Sequence, residues 1–324
     1  MAAFMDGARR QRPVGRKGAM VHDDVAGVYQ QVWLYGPASA MALGHAKECA
    51  VALLAVDSAC RPGDITKLFR QYEGWQQQIV FQPAGMKVRF FYPKEVVPGS
   101  SRRNSTNYYF SKWVTIQDTT PIEISTPQRV RAFLDASTGA DFALQQVPEL
   151  DSTVQPFAWA RCLNGILQPP SVDHISNIVK GMLLRAEMKN TTARSVRGAS
   201  PSKVVQLFPD LLQDALDLGR WTDHMTFANH YQAPVQLSTE ETPPDSIKSN
   251  VQQILRWGFT PVPPPNVSAA GYMKGPDFWV GQTIRNVGKI HGFDEGIYKV
   301  GRGGTKELYH YELMDAISTA RDIS

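Results

Sequence analysis

Apolar positions recur at helical spacing through much of this chain. Between residues 22 and 56, Val25, Val28 and Tyr29, then Val32 and Trp33, fall three or four apart, the repeat of a helix that buries one face. A second run, Cys49 to Val56, is apolar throughout and leads into Arg61-Pro62-Gly63-Asp64. Pro and Gly there stop the helix, and Asp64 can cap the next one, expected around Ile65 to Phe69. Ser125-Thr126-Pro127 predicts a further helix through Val130 and Phe133, with Thr126 as its cap and Pro127 in its first turn. Three more stripes follow: Ile175, Ile178, Val179, Met182 and Leu183; then Val204, Val205 and Leu207; then Leu211, Leu212, Ala215 and Leu216, with Gly219 suited to a C-terminal cap. Ile247 to Trp257 reads as one more helix.

Residues 78 to 117 change period. Ile79-Val80-Phe81, Met86 to Tyr92 and Trp113 to Ile116 are rich in β-formers and are separated by the turn Pro83-Ala84-Gly85 and by a polar stretch from Val97 to Thr106. They predict a small antiparallel sheet with one long hairpin loop. Beyond the stiff segment Pro261 to Pro265, Phe278-Trp279-Val280 and Gly296 to Val300 look strand-like, and Glu312 to Arg321 looks helical. The pattern is that of an α+β chain, mainly α-helical. It divides into a basic arm (1–21), a main domain (22–258) and a small C-terminal accessory module (259–324).

Composition narrows the classes. A hydrophobic fraction of 43% and a charged fraction of 20% allow a sizeable core. The net charge of +4 permits a polyanionic partner without requiring one. Its excess is uneven: Arg9, Arg10, Arg12, Arg16 and Lys17 crowd the first residues, as in a disordered arm, a targeting patch or a backbone-binding arm. The apolar run Ala50 to Val56, seven residues, falls far short of a membrane span. The 3 cysteines, Cys49, Cys60 and Cys162, stand far apart with no metal-ligand spacing and point to reduced thiols in an intracellular setting. The expected cofactor and metal complement is none.

The chemistry-bearing segment is Thr192-Ala-Arg-Ser-Val-Arg-Gly-Ala-Ser200, followed after a helical pair by Gly219-Arg-Trp-Thr-Asp-His-Met-Thr-Phe-Ala-Asn-His-Tyr231. It resembles the second box and nucleophile segment of the tyrosine recombinases, the phage integrase family. That family has a His-x-x-Arg pair opening a helix, a Gly-(His/Trp) after two helices, and a nucleophilic Tyr shortly beyond. The W-(S/T)-x-x-x-T-F-x-x-x-Y form looks like that of recombinases of eukaryotic mobile elements, such as cryptons and DIRS-like retroelements. Upstream, Ala59-Cys-Arg-Pro-Gly-Asp-Ile-Thr-Lys-Leu68 is similar to the first box, with Arg61 and the supporting Asp64 in place. Lys94, at the end of Val88-Arg-Phe-Phe-Tyr-Pro-Lys, matches the hairpin lysine; Lys87 and Lys112 are weaker candidates. The resemblance covers roughly residues 22 to 235.

What it implies is a tyrosine-recombinase catalytic fold that cuts and rejoins double-stranded DNA through a 3′-phosphotyrosyl link. Tyr231 would attack. Arg61 and Arg197 would hold the non-bridging oxygens in bidentate forks, and Lys94 would protonate the leaving 5′ oxygen. Arg194 stands where the family usually has His, and Trp221 supplies an indole N–H donor in place of the other His. One ester replaces another, so the exchange needs neither ATP nor metal. The resemblance further implies a homotetramer on DNA, no membrane contact and, in a eukaryote, a nuclear location. About twenty residues precede the first helix, where the family places a core-binding domain, so the expected chain lacks that half of the DNA clamp. Two other readings use the same residues: a catalytically impaired relic that retains DNA binding, and a type IB topoisomerase-like strand transferase.

Overall fold

The computed structural model describes residues 22–69, 78–90, 111–144, 158–163, 166–188, 191–193, 195–221, 224–232 and 241–321. The basic arm predicted at 1–21 lies outside them. The fold is α+β. Helices α1 (His22–Leu34), α2 (Leu43–Asp57) and the single turn α3 (Pro62–Ile65) come first. Strands β1 (Ile79–Gln82), β2 (Gly85–Val88) and β3 (Val114–Gln117) form an antiparallel sheet in that order, with Phe81 opposite Met86 and Met86 opposite Ile116. Helix α4 (Thr126–Leu144) and the hairpin β4 (Arg161–Leu163)–β5 (Ile166–Gln168) follow. Then come α5 (Val172–Arg185), α6 (Val196–Leu207), α7 (Leu212–Gly219), α8 (His224–His230) and α9 (Val251–Arg256). The chain closes with α10 (Ala269–Tyr272), α11 (Pro276–Trp279), a four-stranded antiparallel sheet and α12 (His310–Arg321).

Helix α2 is the axis of the core. Every residue from Cys49 to Asp57 is buried, the fate of a helix that is apolar all round, and it packs against α4, α5 and α6. The predicted stripe on α5 faces inward in full: Ile175, Ile178, Val179, Met182 and Leu183 are buried. Ser171 caps that helix, its hydroxyl accepting the His174 N–H at 3.1 Å. The Cys49 and Cys60 thiols are free and buried, and burial pushes them up to about 12 and about 11, which marks them as inert packing groups.

Several expectations are corrected by packing. The helix expected at Ile65 begins at Pro62, whose fixed φ suits a first turn, so Asp64 lies inside it. Thr126 does not cap α4; its hydroxyl donates to Asp57 Oδ2 at 2.5 Å, because a buried carboxylate next to it demands donors more strongly than a helix end does. Residues 247–257 are not one helix: Asn250 is extended and caps α9 by accepting the Gln253 N–H at 2.9 Å. Ile254 and Leu255 of α9 are completely buried in this chain's own core. Phe278–Val280 is not a strand; Pro276 opens a helical turn there.

The last sixty residues pack on the first helices. The Tyr272 hydroxyl donates to the Leu34 carbonyl, and its ring stacks on Trp33 with centroids 6.3 Å apart. Gly36, at φ +78°, admits the His310 imidazole where any Cβ would lie 2.2 Å from His310 Cδ2. Tyr272, Tyr298, Val300, Leu313 and Met314 thereby join the same buried cluster as α2. No helix among the described residues is long and apolar enough to cross a membrane.

Candidate active site

Three of the residues picked out by sequence meet at one place. Helix α6 places Arg197 at its second position, α7 ends just before Trp221, and Tyr231 follows the last residue of α8. The Arg197 Cζ lies 4.9 Å from the Trp221 ring centroid and 5.5 Å from that of Tyr231. The two rings are 4.8 Å apart and tilted by 49°. The Arg197 Nη2 donates to the Gly219 carbonyl. Phe227 closes the cluster from below, 5.0 Å from Trp221. The indole N–H of Trp221 is buried with no hydrogen-bond partner among the described residues. Such an orphan costs on the order of 1–3 kcal/mol, which an incoming acceptor would offset.

Two glycines let these parts close. A Cβ on Gly219 would lie 1.7 Å from Trp221 Cζ3, so no side chain fits there. A Cβ on Gly198 would lie 2.7 Å from the Tyr231 carbonyl oxygen, so Gly198 allows the backbone of the tyrosine to rest on α6. The cap of α7 was expected at Gly219, but the left-handed residue is Arg220, at φ 57° and ψ 38°. Gly219 is spent on ring contact and not on backbone freedom.

That twist sends Arg220 toward the first box. Its Nη2 donates to Asp64 Oδ2 at 2.9 Å, with both side chains buried, and its Cζ sits 4.5 Å over the Phe90 ring. Its Nε and Nη1 are buried without partners among the described residues. Asp64 stands beside Arg61 and holds the start of α3 from inside the helix, not from before it. The same oxygen accepts the Arg61 backbone N–H at 3.1 Å, which holds the start of α3, while its charge partner is Arg220. Arg61 itself is half-buried at the N-terminal edge of α3. The Arg61–Asp64 turn is therefore tied to Arg220, and the adjacent Gly219 carbonyl to Arg197.

Lys94 and Arg194 lie outside the described residues. Phe90, four positions before Lys94, is buried beneath Arg220, and Thr192 and Ser195, on either side of Arg194, exchange backbone and hydroxyl hydrogen bonds of 3.1 to 3.3 Å. Lys87 lies within β2, and Lys112 is exposed just before β3. Sequence reading missed Gly198 and Arg220. The available signal for the second was a cation wedged between the Gly and the Trp of the Gly-Arg-Trp segment.

Helix α6 is also more deeply placed than its sequence suggests. All residues from Val196 to Val204 are buried, including Ser200, Ser202 and Lys203. The Ser200 hydroxyl donates to the Val56 carbonyl at 2.7 Å, and Lys203 Nζ donates to the carbonyls of Leu255 at 2.6 Å and Trp257 at 2.9 Å. These bonds fix the helix that carries Arg197 to α2 and to the end of α9. Among the described residues no three His, Cys, Asp or Glu side chains converge as a metal site would need. Set against protein-family models, curated proteins and solved structures, the chain matches none.

Proposed function

We propose that this chain is a tyrosine-recombinase catalytic domain that cuts and rejoins duplex DNA through Tyr231. The observation that carries the reading is the meeting of Arg197, Trp221 and Tyr231, residues that a phosphoryl-transfer site of this kind needs together. Tyr231 Oη attacks the phosphorus and loses its proton; the P–O5′ bond breaks; the 5′ oxygen takes a proton and leaves as a hydroxyl. Lys94 is the proposed donor of that proton. The 3′-phosphotyrosyl ester preserves the bond energy for the reverse step. Arg197 and Arg61 stabilise charge on the non-bridging oxygens, and the Trp221 N–H supplies one further donor. Arg197 is 1% exposed, so phosphate binding requires the Trp221–Tyr231 pair to shift and uncover it. The recombinase fold, the tetrameric assembly on DNA and a nuclear location in a eukaryote belong to the same proposal. The role of Arg194, as an additional cation at the phosphate, does too.

The test is a suicide substrate: nicked duplexes of randomised sequence, with covalent protein–DNA adducts resolved under denaturing conditions and sequenced. Wild type should form adducts and Tyr231→Phe none, with duplex binding retained. Arg197→Ala should slow adduct formation by about two to three orders of magnitude, and Arg197→Lys should recover part of that loss. Adducts from the Phe variant would remove Tyr231 as nucleophile. Duplex binding by folded wild type without any adduct would leave the DNA-binding relic as the better account. Relaxation of a supercoiled plasmid without strand exchange between two sites would favour the topoisomerase-like reading.

A further inference from the structure

The C-terminal sheet is electrically divided. Its strands are β6 (Thr283–Ile284), β7 (Gly288–Asp294), β8 (Ile297–Val300) and β9 (Lys306–Tyr309), paired antiparallel in that order. The register brings two turns to one end: Ile284 faces Gly288, Ile290 faces Val300, and Val300 faces Lys306. A Cβ on Gly288 would lie 2.9 Å from Gly301 Cα, so the β6–β7 and β8–β9 turns touch. The segments that build this end, residues 282–290 and 300–306, contain Arg285, Lys289, Arg302 and Lys306 and no acidic residue. All four side chains are exposed, and none forms an ion pair among the described residues. Glu307, the nearest acid in sequence, is held by Lys299.

The opposite end carries Asp294, the last residue of β7, and Glu295 in the β7–β8 turn, and that end is docked. A Cβ on Gly296 would lie 1.8 Å from the Ala42 nitrogen, so the turn rests on the connection between α1 and α2. That end is anchored to the body through Gly296, with Asp294 and Glu295 exposed at its rim, and the basic end lies at the far end of the same strands. The β8–β9 turn, Gly301-Arg-Gly-Gly304, has its three glycines at φ +82°, +74° and +71°, and a Cβ on Gly303 would meet nothing within 4 Å. This is a loop of bare backbone around one arginine, which a polyanion can approach closely.

We propose that this basic end is a second contact to the phosphate backbone of duplex DNA, separate from the Tyr231 cluster. The inference rests on the proposed function for its choice of DNA as the polyanion. Four exposed cations, with no ion pair among the described residues, around a glycine-rich loop suit the charge of a phosphate backbone, and the contact carries no base readout.

The experiment measures affinity of the full chain for a short labelled duplex between about 50 and 200 mM salt. Replacing Arg285, Lys289, Arg302 and Lys306 together by Gln should flatten the slope of log affinity against log salt by about 3 to 4, since each lost phosphate contact removes about 0.9. Thr305→Lys, a substitution at an exposed position in the same loop, should steepen the slope by about 0.9. The Tyr231→Phe slope should match wild type. A wild-type slope in both the folded quadruple variant and Thr305→Lys overturns the proposal. So does wild type without salt-dependent duplex affinity, or an effect seen with duplex RNA and not with DNA. Flattening without any Tyr231 adduct would sustain this contact while the recombinase chemistry failed.

Discussion

Arg256 and Arg220 are both buried and both end on an aspartate, yet they are built for different ends. Arg256 meets Asp57 through two nitrogens, Nη1 at 3.1 Å and Nη2 at 2.9 Å. Asp57 also accepts from Tyr29 at 3.1 Å and from Thr126 at 2.5 Å, and Arg256 donates further to the carbonyls of Ile124 and Gln252 at 2.7 and 3.0 Å. Burial first, and then the charge of Asp57, pushes the Tyr29 phenol well above its ordinary range, so it stays a donor. Arg220 gives Asp64 one nitrogen and leaves two donor nitrogens without partners among the described residues. The first pair is a nearly closed knot joining α1, α2, α4 and α9, with only Arg256 Nε left without a partner among the described residues. The second is an open one, and it lies where Arg61, Phe90 and the Gly219–Trp221 segment meet. A satisfied buried network stabilises the fold, whereas a partly satisfied one costs stability.

The largest expected effect comes from breaking the closed knot. Asp57→Ala strips Arg256 of its countercharge in a dry site and should destabilise the protein by about 3–5 kcal/mol, read as a shift in the denaturation midpoint. A loss under about 1 kcal/mol would mean that water enters and the knot is not closed.

Breaking the open pair should cost less stability and more function. Arg220→Met should lower stability by roughly 1–3 kcal/mol. If Arg220 positions the first box against the nucleophile segment, adduct formation should fall about a hundredfold with duplex affinity nearly unchanged. Arg220→Lys, which can still reach a carboxylate, should recover stability ahead of rate. Equal recovery of both would make Arg220 a purely structural residue.

The smallest effect sets both charged pairs against a buried group held neutral. His310 is pushed below the ordinary histidine value of 6.5 by burial, an effect its hydrogen bond to the Tyr272 carbonyl opposes. Because the folded protein resists protonation there while the unfolded chain does not, His310 adds stability above about pH 6.5 that is lost as pH falls below it. Denaturation midpoints taken down from neutral pH should decline, and His310→Gln should flatten the decline. An unchanged slope would place the acid sensitivity elsewhere, with His45, also lowered by burial, next in line.

Much of this molecule is legible in one dimension. The stripes on α1, α2 and α5 bury as read, because an apolar face has few alternatives once the chain is compact. The strands β1 to β3 and the Pro83–Gly85 turn appear where the β-formers and turn residues fall. The resemblance of the 192–200 and 219–231 segments to a known family nominated Arg197, Trp221 and Tyr231 together, and they lie together. Period and punctuation are local properties, so a sequence carries them openly.

Other choices were made only in three dimensions. Thr126 gave up its cap for Asp57, 69 positions away, since a carboxylate without donors in the core costs more than a frayed helix end. Ser200, Ser202 and Lys203 of α6 are polar yet buried, and the carbonyls that satisfy Ser200 and Lys203 come from α2 and from the end of α9. Asp64 found its cation 156 positions away, on a residue whose left-handed backbone no periodicity announces. The sequence by itself determined which surfaces must be hidden. The pairing of buried charges was decided by the tertiary structure, because a desolvated charge is satisfied by whatever donor the packed chain brings within reach, wherever along the chain that donor stands.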